Sequence, residues 1–536
     1  MEPEKEDGNI EYKLKLLDLT PNRIERITTQ MRYRCNEGGS ECIYVLGVED
    51  DGHMTGMTEE EYNKTIYCIQ SAAQKNSYSI DQLSKTEVAE NKHIYEILIR
   101  EKNENEYIDV KVAIAGNVDS GKSSFLGVLT TGKNDNGRGS ARINVFNFPH
   151  EISTGRTSSI GHQIVGYNDN GENISYRNNK MVSWPEIVKN SSKIISFYDL
   201  AGHEKYLKTT IFGLASSTPD LCFIMVGANR GVLKMTKEHI FLCLTLQIPF
   251  CIVITKIDMV KNNDHIMKET SNSINKILKS PGVRKVPIKI RSTEDVINSA
   301  INLQSNTIVP IFNISNTTLE GINHINTFLH LAPKRPCEHD NNDVEMYIDL
   351  VWSIPSVGTV IGGHLKSGNI KIGDKLWFGP NNNEYVQIIV RSIHCKRVPI
   401  QKVKYGTYVC IGVRGITKQN YHKGNVVVSN KNQQILCEYI TANIEVLKSH
   451  STTIKVGYQP ILHALTVRTS CVIEKIEKKI SDRDNETDND NILRTNDRAT
   501  ITLRLHMGKK YIKKNTNILL CEGRTKVVGY IIDTSP

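Results

Sequence analysis

The stretch IDVKVAIAGNVDSGKSSFLGVLTTG, residues 108–132, decides how this chain folds. Its opening IDVKVAIAG reads as a buried strand and its closing SFLGVLTTG as a helix. Between them GNVDSGKS, from Gly116 to Ser123, is a full GxxxxGKS/T. The two glycines, Gly116 and Gly121, let consecutive backbone amides wrap a polyphosphate, and the N-terminus of the following helix adds a favourable dipole. Lys122 is the residue to reach the β and γ phosphates and Ser123 the one to ligate Mg²⁺, with Asn117, Val118, Asp119, Ser120 and Ser124 completing the cradle.

Outward from this loop, the apolar runs KIISFYDL, DLCFIMVGA and PFCIVITKID alternate with helical stretches, which predicts a parallel sheet covered on both faces in an α/β domain over 108–335. The run ISFYDLAGHEKY carries DxxG as Asp199 to Gly202. An acidic residue at a strand tip beside the P-loop suits Mg²⁺, and the Gly202 amide bonds a γ phosphate only while that phosphate exists. His203, directly after, is placed to orient the attacking water. Thr255-Lys256-Ile257-Asp258 follows a buried strand. The Asp258 carboxylate accepts two hydrogen bonds from guanine that adenine cannot supply, so it selects GTP, while Lys256 lays its stem along the base. Thr255 opens the motif, and its hydroxyl makes fewer bonds than the amide of an asparagine in its place would. Ser315 and Asn316, after IVPIFN, fit the remaining base-contacting loop.

The flanks differ in period. Residues 1–107 alternate strand and helix patterns, including a capping box from Thr58 to Glu61, and predict a small α+β domain without a catalytic constellation. After the polar linker APKRPCEHDNNDVE the helical period vanishes. Short glycine-punctuated strands predict an all-β unit, barrel or sandwich, over 336–436 and a second over 437–536, the latter interrupted by the polar run SDRDNETDNDN, expected to be disordered. A length of 536 residues agrees with several cores at ~150 residues per domain. With 39% hydrophobic and 23% charged residues, and no apolar run near the ~20 a membrane helix needs, the composition is that of a soluble multidomain protein. The charged N-terminus argues against a secretory signal. Twelve cysteines, with no CxxC pair, read as free thiols, and the expected location is the cytoplasm. A net charge of +9 is mild, permitting a nucleic-acid partner without arguing for one.

The order GNVDSGKS, GRTSSIG, DLAGHEKY, TKID and ISN, followed by two β domains, resembles the translational GTPases of the elongation factor Tu class. The stretches NIEYKLKLLDL, GVEDDG, DNGRGSAR, HEISTGRTSSIG, DLAGHEKYLKTTIFG and CEGRTKVVG extend the resemblance to the GTP-binding protein 1 and 2 family from about Asn9 to Thr534. The resemblance implies a P-loop GTPase domain followed by two β-barrels, with GTP, GDP and Mg²⁺ as ligands. It also implies a switch segment between the P-loop and DxxG whose threonine ligates Mg²⁺. The family pattern is RGxT; this chain has RTSS, so counting from Arg156 points to Ser159 and residue type points to Thr157.

The expected activity is GTP hydrolysis to GDP and phosphate by a monomer that acts with tRNA at the ribosome or with mRNA in RNA decay, and not with membranes. The alternative is a GTP-gated RNA or protein adaptor with negligible hydrolysis. No residue is an evident arginine finger, Arg138, Arg142 and Arg156 being the candidates, so hydrolysis is expected to await a partner. Two basic clusters, around Lys396 and Arg397 and from Lys509 to Lys514, read either as a track for a phosphate backbone or as solvated faces.

Overall fold

The structure is a computed structural model. It describes residues 3–536 apart from 5–7, 18–19, 39–40, 77, 102–106, 147, 155–156, 281, 336–342, 356, 431–435, 448–452, 481–491, 496, 507 and 523. The polar run SDRDNETDNDN, Arg156 and residues 336–342 of the linker therefore lie outside the described residues.

The P-loop domain is built on a seven-stranded sheet in the order Val286–Lys289, Ile308–Asn313, Phe250–Thr255, Leu221–Gly227, Ile108–Gly116, Lys193–Asp199, Gly161–Tyr167. Alternation along the strands divides their side chains between two cores. Val110, Val112, Ile114, Phe223 and Met225 enter one, while Ala113, Ala115, Cys222, Ile224 and Val226 enter the other. The sheet is not wholly parallel: Gly161–Tyr167 runs antiparallel to Lys193–Asp199 at the edge. The sequence expectation of a parallel sheet rested on the long apolar runs, and GHQIVGY is not one. An edge strand reached by a short connection from the switch segment needs no crossover helix. The register pairs Ile114 with Asp199, Met225 with Gly116, and Gly227 with Thr255. The ends of these strands, and the loop after Asn313, therefore open on one edge of the sheet, where ligands of open α/β sheets bind.

Two β-barrels follow. In the first, Lys375–Asn381, Val426–Val428, Glu345–Ile354, Gly358–Ser367, Thr407–Arg414 and Glu384–Cys395 pair in a ring that closes between Glu384–Cys395 and Lys375–Asn381. The second is a closed barrel of Tyr439–Val446, Arg498–Leu505, Val467–Ile480, Ile461–Ala464, Asn517–Glu522 and Arg524–Ser535. Strict period-two burial along Tyr439–Val446 is what a barrel wall with one face inward requires.

The N-terminal module is a four-stranded sheet, Ile10–Lys13, Glu41–Leu46, Lys92–Glu101, Tyr78–Ala89, with helices Pro21–Glu37 and Glu59–Asn76 on one face. The last strand, Tyr78–Ala89, is the longest of the four at 12 residues. The predicted capping box is present: Thr58 N–H donates to Glu61 Oε2 at 3.0 Å and Glu61 N–H to Thr58 Oγ1 at 3.4 Å. Ile43, Val45, Ile94 and Leu98, on the face away from the helices, join one core of the P-loop sheet. Buried charge fastens the joint. Glu41 accepts from Arg100 Nε at 2.7 Å and from Lys193 Nζ at 3.0 Å, and Lys193 also donates to the carbonyls of His330 and Ala332 at 2.7 and 2.6 Å.

Candidate functional site

The edge of the sheet forms an open cleft walled by Val118, Asp119, Gly121, Lys122, Ser123, Ser124, Arg142, Thr157, Gly202 and His203. The P-loop takes its shape from backbone that most residues avoid. Gly116 lies at φ 151° and Gly121 at φ 83°, and a Cβ on Gly116 would come within 2.6 Å of the Met225 carbonyl. Helix Lys122–Thr131 starts at Gly121, so its free amides face the cleft. Phe125, Leu126 and Leu129 anchor that helix to the core.

Lys122 Nζ donates to the carbonyls of Gly116 at 3.0 Å and Asn117 at 2.9 Å. Burial pushes its pKa down, with Asp199 and Asp119 opposing. Gly202 packs directly on this arrangement: a Cβ there would lie 2.4 Å from Lys122 Nζ and 2.7 Å from the Gly116 carbonyl. No other residue type permits the DxxG segment to approach the P-loop so closely.

Ser123, Asp199 and Thr157 converge. Ser123 Oγ donates to Asp199 Oδ2 at 2.6 Å and lies 2.9 Å from Thr157 Oγ1, which itself reaches Asp199 Oδ2 at 3.5 Å. The other oxygen, Asp199 Oδ1, is buried without a partner, and burial raises the carboxyl's pKa despite Lys122 and Ser123. A hard oxygen set with one carboxylate and two hydroxyls suits Mg²⁺, which keeps waters and phosphate oxygens in its remaining positions. Ser159 is not part of this set. Its hydroxyl and amide, like those of Ser158, donate to Glu151 Oε1 at 3.0 and 3.1 Å, so the segment turns between Thr157 and Ser159. Sequence counting could not tell the two apart because it takes no account of that turn.

His203 is half-buried at the cleft wall. Its Nδ1 accepts from the Lys205 amide at 3.0 Å, capping the short helix Glu204–Tyr206. Asp119 adopts the left-handed region at φ 59° and pairs at 3.7 Å with Arg230.

At the far end of the P-loop, Thr255 Oγ1 donates to the Ser120 carbonyl at 2.8 Å. The hydroxyl thus ties the base loop to the P-loop in spite of the departure from asparagine. Asp258 accepts from Ser315 Oγ at 2.7 Å, and Asn316 Nδ2 reaches the Gly121 carbonyl at 3.4 Å while its Oδ1 is buried and unpartnered. Lys256 lies at φ 60° between them. The two base-loop segments and the P-loop therefore form one connected wall.

Both barrels press on segments that carry these residues. His162, in the strand that follows the switch segment, lies edge-on to Tyr198 at 4.2 Å and beside Tyr408 of the first barrel at 5.4 Å. Helix Leu207–Ser217, after DxxG, meets strand Ile461–Ala464 of the second barrel, and Lys423 Nζ sits 5.1 Å from the Phe212 ring.

Residues of both basic clusters meet carboxylates or rings within the chain. Lys396 is buried in a 2.6 Å ion pair with Asp109, and the Arg397 guanidinium stacks 4.3 Å from Trp184, so this cluster is a seam between barrel and P-loop domain. In the second cluster Tyr511 is buried, donating to Glu345 at 3.1 Å, Lys513 also pairs with Glu345, and Lys514 pairs with Asp533 at 2.8 Å. Sequence spacing showed the charge but not the carboxylates that meet it.

A family model described as the elongation factor Tu GTP binding domain matches residues 109–351, and one described as GTP-eEF1A C-terminal domain-like matches residues 439–511. GTP-binding protein 2 of Homo sapiens is 38% identical over 543 residues, covering 99% of this chain and 88% of that protein. GTP-binding protein 1 of Xenopus laevis is 38% identical over 530 residues, covering 98% and 78%. Elongation factor 1-alpha of Pyrococcus horikoshii is 30% identical over 321 residues, covering 58% and 72%. Among solved structures, translation elongation factor SelB of Methanococcus maripaludis, crystallised with the GTP analogue GppNHp, shares the fold at a TM-score of 0.55 and 18% identity, each chain covered to 80%. The chain belongs to the GTP-binding protein 1 and 2 family, within the GTPases of the elongation factor Tu class.

Proposed function

We propose that this chain binds GTP and GDP with Mg²⁺ and hydrolyses GTP to GDP and phosphate, switching an RNA-directed activity as it does so. The observation that carries the reading is the convergence of Lys122, Ser123, Thr157, Asp199, Gly202 and His203 on one cleft. Ser123, Thr157 and Asp199 would hold Mg²⁺, which supplies positive charge against the β and γ phosphates. The P-loop amides and Lys122 bind the phosphates, the Gly202 amide bonds the γ phosphate, and His203 orients the attacking water. Asp258 reads guanine, with Ser315 fixing its carboxylate and Thr255, Lys256 and Asn316 bracing the base loop on the P-loop. The N-terminal α+β domain ends near residue 107, the GTPase domain near 335 and the first barrel near 436. Because segments bearing Thr157 and Gly202 lead into elements that touch the two barrels, gain and loss of the γ phosphate bears on barrel position.

The relatives named as elongation factors support tRNA or mRNA as the substrate-bearing partner, engaged as a monomer in the cytoplasm at the ribosome or in RNA turnover. Among the described residues no helix is long and apolar enough to cross a membrane. The test is competition of labelled GTP on the purified chain, with phosphate release followed in parallel. GDP should displace it, equimolar ATP should not, and Asp258→Asn should shift preference toward xanthine nucleotides. Displacement by ATP overturns guanine selection, and GTP binding without phosphate release, alone or with ribosomes, leaves the adaptor.

A further inference from the structure

The cleft has one cationic wall residue that the functional reading does not use. Arg142 lines it together with Lys122, Ser123, Thr157, Gly202 and His203. Resting on that reading of the cleft as a GTP hydrolysis site, we propose that Arg142 is a catalytic arginine supplied by the chain itself, stabilising the charge that develops on the transferring phosphoryl group.

The segment that carries Arg142 is built to hold it still. It sits in a short 3₁₀ helix, Ala141–Asn144, that packs on the P-loop helix with no space between: a Cβ on Gly127 would fall 2.1 Å from the Ala141 carbonyl. The buried Asp135 carboxylate ties down the approach to it. Oδ2 accepts from the amides of Gly137 at 3.0 Å and Gly139 at 3.1 Å, and Oδ1 from the Ala141 amide at 2.9 Å. The Asp135 amide in turn donates to the Asn316 carbonyl at 2.8 Å, so this loop shares its anchor with the base-loop wall. Gly139 clears the path of the side chain, since a Cβ there would lie 2.4 Å from Arg142 Nε, and the guanidinium is steadied over the Phe146 ring at 6.0 Å. Among the described residues no carboxylate forms an ion pair with Arg142, whereas Arg34, Arg100, Arg230 and Arg504 each have one. A guanidinium with no carboxylate partner, on an anchored residue that lines a phosphate cleft, is suited to an anion with planar, spread charge.

In the reaction the water oxygen bonds to the γ phosphorus and the bond to the β–γ bridging oxygen breaks. The water proton leaves on the released phosphate, and GDP retains the bridging oxygen. Charge grows on that leaving oxygen and on the phosphoryl oxygens, and Arg142 has five donors to meet it. Arg138 is exposed and outside the cleft wall, and Arg156 lies outside the described residues. On this assignment Arg142 is the one that acts among the three arginines the sequence offered, Arg138, Arg142 and Arg156.

The experiment uses the purified full chain, first without ribosomes and then with them. It measures GTP and GDP affinity, single-turnover hydrolysis, and retention of GDP in the presence of aluminium fluoride, a mimic of the transferring phosphoryl group. The wild type should hydrolyse GTP and retain GDP–aluminium fluoride unaided. Arg142→Ala should keep both affinities within a few fold, lose at least ~10²-fold in rate and lose fluoride capture; Arg142→Lys should recover little, because a point charge lacks the planar fork. An unchanged rate and capture in Arg142→Ala overturns the assignment. So does a loss of GDP affinity equal to the loss of rate, which would make Arg142 a uniform phosphate binder. If the wild type itself binds GTP yet neither hydrolyses nor captures fluoride with or without ribosomes, the hydrolysis reading fails first and takes the assignment with it.

Discussion

The nucleotide cleft and the seam between the P-loop domain and the first barrel both bury charge, and they treat it in opposite ways. In the seam, burial alone would raise the Asp109 carboxyl, but the Lys396 ammonium at 2.6 Å and the Ser196 hydroxyl at 2.6 Å more than reverse it, and its pKa falls. In the cleft, burial wins on both partners: Asp199 is raised and Lys122 lowered, with Asp199 Oδ1 left unpartnered. Satisfied charge is architecture. Charge buried at a cost, in a cleft, marks groups kept ready for a ligand of high charge.

That contrast is open to attack from either side. The largest effect belongs to the cleft: Lys122→Ala should weaken GTP and GDP binding by at least ~10³-fold while the melting temperature of the nucleotide-free chain barely moves, because a ligand and not the fold uses the ammonium. An equal loss of apo stability would make Lys122 a structural lysine and erase the distinction. In the seam, Lys396→Ala strands Asp109 and should cost ~3 kcal/mol in urea unfolding, with GTP affinity within a few fold; a nucleotide defect without destabilisation would reverse its role.

Within the cleft, His203→Ala should slow partner-stimulated single-turnover hydrolysis by ~10²-fold and leave GTP affinity nearly intact. A collapse in affinity would reassign the ring to binding. Thr157→Ala should raise the Mg²⁺ concentration needed for half-maximal GTP binding by about tenfold, and Ser159→Ala should not, since the Ser159 hydroxyl serves Glu151. The reverse pattern would restore the count from Arg156.

The smallest effect is a pH dependence. Asp349 in the first barrel has Oδ1 buried without a partner, and burial pushes its carboxyl up to about 7. Unfolded, it titrates near ~3.9. Between those values the folded chain binds more protons than the unfolded one, so stability declines as pH rises through that window and levels above about 7. Partial solvent access keeps the change to about 1 kcal/mol or less. Urea midpoints taken from about pH 5 to about pH 8 should show the decline in the wild type and a flatter profile in Asp349→Asn. Asp109 acts with the opposite sign, its contribution present at neutral pH and lost as pH falls below the ordinary carboxylate range.

Local pattern was enough for much of this protein. GNVDSGKS between a strand and a helix, DLAGH at a strand tip and TKID after a buried strand could each be placed on the fold from a few residues, because the strand and helix patterns around them are local. Short glycine-punctuated strands likewise announced two β domains, and a Thr58–Glu61 box announced a helix. What only the tertiary structure decided concerns groups whose partners are far apart along the chain. The turn at Glu151 separates Thr157 from Ser159, the Asp109 carboxylate 287 residues away turns Lys396 from a candidate phosphate contact into a seam, and the pinned 3₁₀ helix brings Arg142 to the cleft. A side chain's charge is written in the sequence, but whether that charge is neutralised, buried or left for a ligand depends on which distant groups folding sets beside it.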